Sequence, residues 1–189
     1  MKATHNPYNP GAGGPPRKLA GRDELIESAR VAVIRAKDGR PAKSSIMLGL
    51  RGVGKTVLLN AFEAIAEENG CQTALLEIDP DKPLAQQLAP QLQHILHRLD
   101  RLKKAGADLQ KAFGSLRAFA AMFKATVADI DFSLAGPAAT GDLSIDLTEL
   151  FVAIADSAKK RDTAVVLLID EIQYVQKGDL SALIMALHK

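Results

Sequence analysis

Residues 44–56 read SSIMLGLRGVGKT, and this stretch decides the fold that the sequence predicts. Gly49, Gly54, Lys55 and Thr56 match the pattern G-x-x-x-x-G-K-[ST] at every position. Such a loop wraps closely around a polyphosphate and points successive backbone N–H groups inward, which side chains at the glycine positions would block. The lysine of the pattern reaches the β- and γ-phosphates, and the hydroxyl after it ligates Mg²⁺. The stretch therefore predicts a phosphate-binding loop.

The residues on either side supply the strand and the helix that such a loop needs. Ile46, Met47 and Leu48 predict a short strand before the loop, and an apolar pattern at helical spacing follows it until Asn69-Gly70. The helix N-terminus adds unpaired N–H donors and the positive end of its dipole. The alternative is a glycine-rich turn with a chance lysine. We expect nucleotide contacts from the loop and the residue after it: Gly49, Leu50, Arg51, Gly52, Val53, Gly54, Lys55, Thr56 and Val57.

A second stretch with chemical meaning is AVVLLIDEIQYV, residues 164–175. Its run of large aliphatic residues does not alternate with polar ones, so it predicts a strand buried on both faces, as in a parallel sheet. Asp170 and Glu171 end this strand, at the sheet edge where open α/β sheets bind their ligands. The first carboxylate of such a pair holds the Mg²⁺ shell, and the second polarises the attacking water. The alternative is an acidic pair that only ends a strand.

Apolar spacing predicts the other regular elements. An amphipathic helix begins near Gly21 and ends before Gly39, and TALLEID at residues 73–79 predicts another strand. Leucines and phenylalanines recurring every three or four positions predict helices over residues 84–104 and 108–124. The chain therefore alternates strands and helices, as α/β domains do.

Proline and acidic residues predict where several helices begin or change direction. Pro90 must either kink its helix or start a second one, because it lacks an N–H group. Asp146 and Glu149 have the spacing of an N-cap and its reciprocal partner, which predicts a helix from there to about Arg161. Asp179 predicts the N-cap of the last helix.

Composition limits the class of protein and its setting. The chain has 189 residues, 47% of them apolar, which favours one domain with a substantial core. Residues 1–18 are rich in Asn, Gly and Pro and predict a flexible tail. A net charge of +2 gives no global argument for a nucleic-acid partner. No apolar run approaches the roughly 20 residues that span a bilayer. With the single cysteine, Cys71, this favours a cytoplasmic protein without a membrane partner.

His94 and His97 are the candidates for a separate metal site. They are three positions apart on a predicted helix, which is a spacing that two metal ligands can have. No Cys, Asp or Glu is close enough on the same helix face to complete a site. A solvated helix edge is therefore the favoured interpretation of this pair.

Together these motifs resemble the Walker A and Walker B boxes of the AAA+ and STAND-like ATPases. GRDE at residues 21–24 is similar to a segment that opens many of these modules near the adenine, which implies Gly21 and Arg22 as cofactor contacts. DEIQ at residues 170–173 resembles the Walker B continuation of the archaeal-type and origin-recognition-like branches. The resemblance covers about residues 19–189.

The resemblance implies ATP and Mg²⁺ as ligands and assigns roles to the motif residues. Lys55 contacts the phosphates, and Thr56 and Asp170 contact the metal. Glu171 is the base that activates water, so Lys55 and Glu171 are the catalytic residues. The implied activity is ATP binding and hydrolysis coupled to a conformational change. The alternative is a non-catalytic ATP-gated switch or scaffold that acts through partners.

The fold class implied is α/β, a three-layer α/β/α P-loop NTPase with a parallel sheet. Residues 84–145 are a helical insertion, since they are longer than a minimal core requires. The module is expected to be incomplete at its C-terminus, because no strand with a polar sensor residue follows Asp170. The expected partners are a second copy of the chain, a regulatory protein, or DNA bound through the missing C-terminal region.

Overall fold

The computed structural model of the chain describes residues 21–50, 53–102, 106–127 and 137–187. Residues 1–18, the predicted flexible tail, lie outside this part. The helices and strands, in chain order, are α1 (Asp23–Lys37), α2 (Lys55–Glu68), β1 (Gln72–Glu77), α3 (Leu84–Leu102), α4 (Ala107–Met122), α5 (Leu143–Lys159), β2 (Val165–Asp170), a short 3₁₀ helix (Ile172–Tyr174) and α6 (Lys177–Leu187).

Strands β1 and β2 pair in parallel, with Gln72 opposite Val165 and Glu77 opposite Asp170. Because side chains alternate between the faces of a sheet, each strand contributes to both sides. One side packs against α3, α4, α5 and α6 and receives Ala74, Leu76, Ile78, Val165, Leu167 and Ile169. The other side packs against α1 and α2 and receives Ala164 and Val166. Helices therefore cover both faces of a parallel sheet, and the predicted α/β fold class is confirmed.

The larger core lies on the α3 side of the sheet. Leu88, Leu96 and Leu99 of α3 are completely buried there, each contributing about 1.5–3 kcal/mol by burial. Helix α3 continues through Pro90 to Leu102, so the predicted alternative that a second helix begins at Pro90 is wrong. None of the helices in the described ranges has the length and apolarity that crossing a bilayer requires.

The predicted strand over Ile46, Met47 and Leu48 is wrong. Residues 41–50 have no regular secondary structure, and Ile46 and Leu48 are 54% and 92% exposed. Strand β2 is covered by helices on both faces, as predicted, but Val165 and Ile169 are only half-buried. Both differences have one cause, the small size of the sheet. In the described residues β2 pairs with β1 alone. An apolar run becomes a strand only when it pairs with a neighbouring strand.

Two predicted helix caps are also wrong. Helix α5 is capped by Asp142, whose Oδ1 accepts from the N–H groups of Ser144 and Ile145 at 2.8 and 3.1 Å. Asp146 lies inside the first turn, so the predicted pair with Glu149 is not the cap. Helix α6 begins at Lys177, two residues before the predicted cap Asp179. Asp179 instead accepts from the N–H of Leu84 at 3.4 Å and so links α6 to the start of α3.

A buried arginine holds the ends of three helices together. The side chain of Arg161 is 3% exposed and donates to the carbonyls of Leu99 and Ser157 at 2.9 and 2.8 Å. It also donates to Asp108 Oδ2 at 2.7 Å, and this hydrogen bond is the main reason that the pKa of Asp108 lies below its ordinary value. The contacts join α3, α4 and the residues after α5. They fix part of the predicted insertion, residues 84–145, to the sheet domain.

The outer edge of β1 is covered by a side chain. The N–H groups of Gln72 and Ile78 donate to the carbonyls of Ala164 and Asp170, so the even-numbered residues of β1 face β2. The carbonyl of Thr73 therefore lies on the opposite edge, where it accepts a hydrogen bond from Arg98. Arg98 thus satisfies a backbone group that would otherwise be unpaired at a sheet edge.

Candidate functional site

The predicted phosphate-binding loop leads directly into α2. Gly54 is the N-cap of that helix and has a φ of 84°, in the left-handed region that glycine adopts without strain. A Cβ on Gly49 would lie 3.1 Å from Val53 Cγ2, so a side chain there would crowd the other end of the loop. The predicted contact residues Arg51 and Gly52 lie outside the described residues. The two flanking glycines thus suit a tight loop at the start of a helix.

Lys55 turns back onto the loop that precedes it. Its Nζ donates to the carbonyls of Gly49 and Leu50 at 3.1 and 3.0 Å. The ammonium therefore lies against the first two residues of the loop, which have no regular secondary structure. The first N–H groups of α2, those of Lys55, Thr56 and Val57, have no partner within the helix, as at every helix start. The loop thus combines a cation with free N–H donors, which are the groups that bind phosphate.

The two predicted metal contacts meet in the structure. Thr56 Oγ1 donates to Asp170 Oδ2 at 2.6 Å across 114 positions of sequence. Asp170 is 8% exposed, and its other oxygen accepts from the N–H of Glu171 at 2.9 Å. A hydroxyl and a carboxylate are hard oxygen ligands of the kind that Mg²⁺ prefers. The donor set and its location beside the loop fit a Mg²⁺ ion.

Glu171 follows directly at the end of β2. It has a φ of 54°, which is uncommon for a residue other than glycine and costs about 1–2 kcal/mol. This conformation turns the chain into the short 3₁₀ helix, which begins at the next residue. Its Oε2 accepts a hydrogen bond from Gln173 Nε2. A strained backbone next to Asp170, the predicted metal ligand, is the kind of conformation that clusters at functional sites.

Gly21 and Arg22 lie at the start of α1. Gly21 has a φ of 73°, and Arg22 is the N-cap residue of the helix. The guanidinium of Arg22 donates to the carbonyl of Val53 at 3.3 Å. The structure therefore brings Arg22 to the loop backbone. Its expected role beside the adenine stays a prediction.

Two residues near this edge were not identified from the sequence. Glu77 ends β1 in register with Asp170, which adds a third carboxylate to the edge that carries Asp170 and Glu171. Gln173 holds the carboxylate of Glu171. Glu77 is placed at this edge by the pairing of β1 with β2. No pattern in the sequence shows which residues of two paired strands lie opposite each other. Gln173 is only two residues from Glu171, so its position in DEIQ was the available signal.

The histidine pair is separate from this site. The His97 ring packs against Phe113 of α4, with ring centroids 5.2 Å apart, and His94 is exposed. The described part of the chain contains no group of three or more His, Cys, Asp or Glu side chains placed to hold a metal ion. His97 therefore contributes to the contact between α3 and α4.

Comparison with known proteins agrees with this arrangement. A family model described as AAA ATPase domain matches residues 18–189, which is nearly the whole chain. No curated protein and no solved structure matches it. The match includes the phosphate-binding loop, β1, β2 and the helices on both faces of the sheet. The chain belongs to the AAA ATPase domain family.

Proposed function

We propose that this protein binds ATP with Mg²⁺ at the loop before α2 and hydrolyses it. The observation that carries the proposal is the 2.6 Å contact between Thr56 and Asp170. Each residue belongs to a different motif, and folding brings the hydroxyl of one to the carboxylate of the other. A phosphate-binding loop and a metal-binding carboxylate are the two parts that a nucleotide hydrolase of this class needs together.

The phosphate-binding step follows from the contacts of Lys55. Its ammonium is bonded to the carbonyls of Gly49 and Leu50, and phosphate oxygens are stronger acceptors because they are charged. We expect Lys55 to exchange these carbonyls for the β- and γ-phosphates of ATP. The free N–H groups at the start of α2 bind the same phosphates. Mg²⁺ held by Thr56 and Asp170 would neutralise charge on the β- and γ-phosphate oxygens.

The hydrolytic step needs a base. Gln173 occupies Oε2 of Glu171 and leaves Oε1 available to accept a proton from water. The water oxygen attacks the γ-phosphorus as its proton moves to Glu171. The bond between that phosphorus and the bridging oxygen breaks, so ADP and inorganic phosphate leave.

The exchange of partners at Lys55 is also the basis of the proposed conformational change. Residues 41–50 are irregular and exposed in the structure, and the last two of them hold the ammonium of Lys55. Releasing these carbonyls changes the position of the segment before the loop. We propose that this movement reports the nucleotide state, as expected of an archaeal-type or origin-recognition-like AAA+ module.

One contact favours the second candidate, a non-catalytic ATP-gated switch. Gln173 donates to the carboxylate of Glu171 at the surface, and a protein in which this bond holds Oε1 of Glu171 away from the γ-phosphate would bind the nucleotide without activating water. The two candidates share the loop and the metal site. They differ only in whether Glu171 accepts a proton.

The experiment that separates them is phosphate release by purified wild-type protein and the Glu171→Gln variant. If the protein hydrolyses ATP with Glu171 as the base, the variant is expected to bind ATP with unchanged affinity and to hydrolyse it about 10²- to 10⁴-fold more slowly. Glu68→Gln, which changes an exposed glutamate at the far end of α2, is the matched control and keeps the wild-type rate. Wild-type protein that binds ATP without releasing phosphate would support the switch. Equal rates in wild type and Glu171→Gln would exclude Glu171 as the base and make Glu77 the next residue to change.

A further inference from the structure

Helices α1 and α2 lie side by side and run in the same direction. At their N-terminal ends Arg22 contacts the carbonyl of Val53. At their C-terminal ends Lys37 Nζ donates to the carbonyl of Asn69 at 2.5 Å. The helices have 15 and 14 residues, so the two contacts lie at matching ends of a pair of nearly equal length. Both N-termini, with the positive ends of their dipoles, therefore lie beside the phosphate-binding loop.

The core between these helices fixes Arg22 relative to the loop. Val33 of α1 packs in one buried cluster with Ile65 and Ala66 of α2. The carbonyl of Arg22 accepts from the N–H of Ile26 at 3.0 Å, which is the first helical hydrogen bond of α1. The backbone of Arg22 is thus held by a helix that packs against the helix following the loop. Its guanidinium therefore reaches the loop from a fixed backbone position.

The carbonyl that Arg22 binds determines the direction of a neighbouring N–H. Val53 directly precedes Gly54, so the carbonyl of Val53 and the N–H of Gly54 belong to one peptide group. The C=O and N–H of a trans peptide point in opposite directions. A donor that holds this carbonyl on the α1 side therefore directs the N–H of Gly54 away from α1. A phosphate-binding loop requires its N–H groups to be held in a fixed direction, towards the phosphates.

We infer that Arg22 is a positioning residue for the phosphate-binding loop and that it acts through the carbonyl of Val53. The inference rests on the proposed function of the loop. It assigns Arg22 an effect on the polyphosphate part of the ligand, whereas an adenine-side contact would act on the base. The two roles predict different results when the base is removed from the ligand.

The test compares ATP with inorganic tripolyphosphate, each titrated with Mg²⁺ into wild-type protein and the Arg22→Ala variant. Arg22→Ala removes one hydrogen bond from a charged donor at an exposed position. We therefore expect this variant to bind both ligands about 3- to 10-fold more weakly than wild type does. The control is Arg30→Ala, which removes the same charge from α1 at a residue paired only with Glu27 in the described contacts. Arg30→Ala is expected to bind both ligands as wild type does. Weaker binding of ATP with unchanged binding of tripolyphosphate would overturn the inference in favour of an adenine contact, and unchanged binding of both would overturn it outright.

A second measurement needs no ligand. The N–H of Leu58 donates to the carbonyl of Gly54 at 3.1 Å, so its hydrogen exchange reports fraying where the loop enters α2. Arg22→Ala is expected to speed this exchange about 3- to 10-fold, and Arg30→Ala to leave it unchanged. If wild-type protein bound neither ATP nor tripolyphosphate, the proposed function would fail. The positioning role of Arg22 would then be overturned only by unchanged exchange at Leu58.

Discussion

Thr56 and Asp170 are joined by a hydrogen bond of 2.6 Å between the first turn of α2 and the last residue of β2. The bond fixes the start of α2, which follows the predicted phosphate-binding loop, against the carboxyl end of the strand that carries the acidic pair. Ligands of open α/β sheets bind at this edge. The sheet therefore provides the carboxylate of the proposed metal site, and the helix provides its hydroxyl.

If Thr56 is a ligand of Mg²⁺, as proposed, removing its hydroxyl should weaken Mg²⁺ binding. Thr56→Val keeps the shape of the side chain and removes the hydroxyl, so the Mg²⁺ concentration needed for half-maximal ATP turnover should rise about 10- to 100-fold. Thr56→Ser restores a hydroxyl and should return this concentration to near the wild-type value. A Mg²⁺ titration at fixed ATP measures it. Equal Mg²⁺ dependence in Thr56→Val and wild type would remove Thr56 from the metal site.

Arg161 predicts a large effect on stability. Arg161→Met removes the donors to Leu99, Ser157 and Asp108 and leaves the carboxylate of Asp108 without its main partner. Breaking a buried pair from one side should lower the free energy of unfolding by about 3 kcal/mol. Urea unfolding measures this change. Arg30→Met, at an exposed ion pair, is the control and should change it by less than about 1 kcal/mol; equal effects of the two variants would show that the Arg161 contacts contribute little.

Asp108 predicts a pH dependence of that stability. Its pKa is lower in the folded protein than in the unfolded chain, chiefly because Arg161 donates to its carboxylate. The contribution is therefore present above the unfolded pKa of about 3.9 and is lost as pH falls through the lower folded pKa. Asp108→Asn removes it. The stability difference between wild type and Asp108→Asn, measured by urea unfolding, should shrink as pH falls from about 5 to about 3, and a difference independent of pH would contradict this origin.

Substitution of aspartate by asparagine is expected to change stability by different amounts at the two aspartates at the start of α5. Asp146 is 4% exposed and accepts from Thr140 N, Thr140 Oγ1 and Gly141 N at 2.8, 2.9 and 2.9 Å through both oxygens. Asp146→Asn turns one oxygen into an NH₂ donor that faces another donor, which should cost about 2 kcal/mol. Asp142→Asn keeps the capping oxygen and should change stability by only a few tenths of a kcal/mol. Thermal unfolding of both variants compares them directly, and similar losses of stability would contradict the different roles assigned to Asp142 and Asp146.

Local signals in the sequence predicted the motifs well. The loop pattern fixes the start of α2, and the aliphatic run fixes β2, so the sequence alone predicts both Thr56 and Asp170 as site residues. Their proximity followed from one rule, that strand ends and helix starts meet at the carboxyl edge of a parallel sheet. Chemistry encoded by consecutive residues was therefore predictable.

Features that depend on distant residues were not predictable. Ile46, Met47 and Leu48 have the composition of a strand, but strand formation requires a neighbour that local sequence does not specify. Asp142 and Asp146 are both good caps, and they lie four positions apart on the same side of a helix. The tertiary contacts of Asp146 with Thr140 decide that Asp146 is buried. The contact of Arg22 with Val53 depends on the packing of α1 against α2, for which no motif exists.

The central claim is that the loop before α2 binds ATP through Lys55. Calorimetric titration of Mg²⁺-ATP into wild-type protein and the Lys55→Ala variant tests it most directly. Lys43→Ala, an exposed lysine ahead of the loop, is the control for loss of charge. The account predicts saturable binding by wild type and Lys43→Ala, and affinity at least about 100-fold weaker in Lys55→Ala, since two charge-assisted contacts to phosphate are lost. Equal affinity of Lys55→Ala and wild type for ATP would contradict the account.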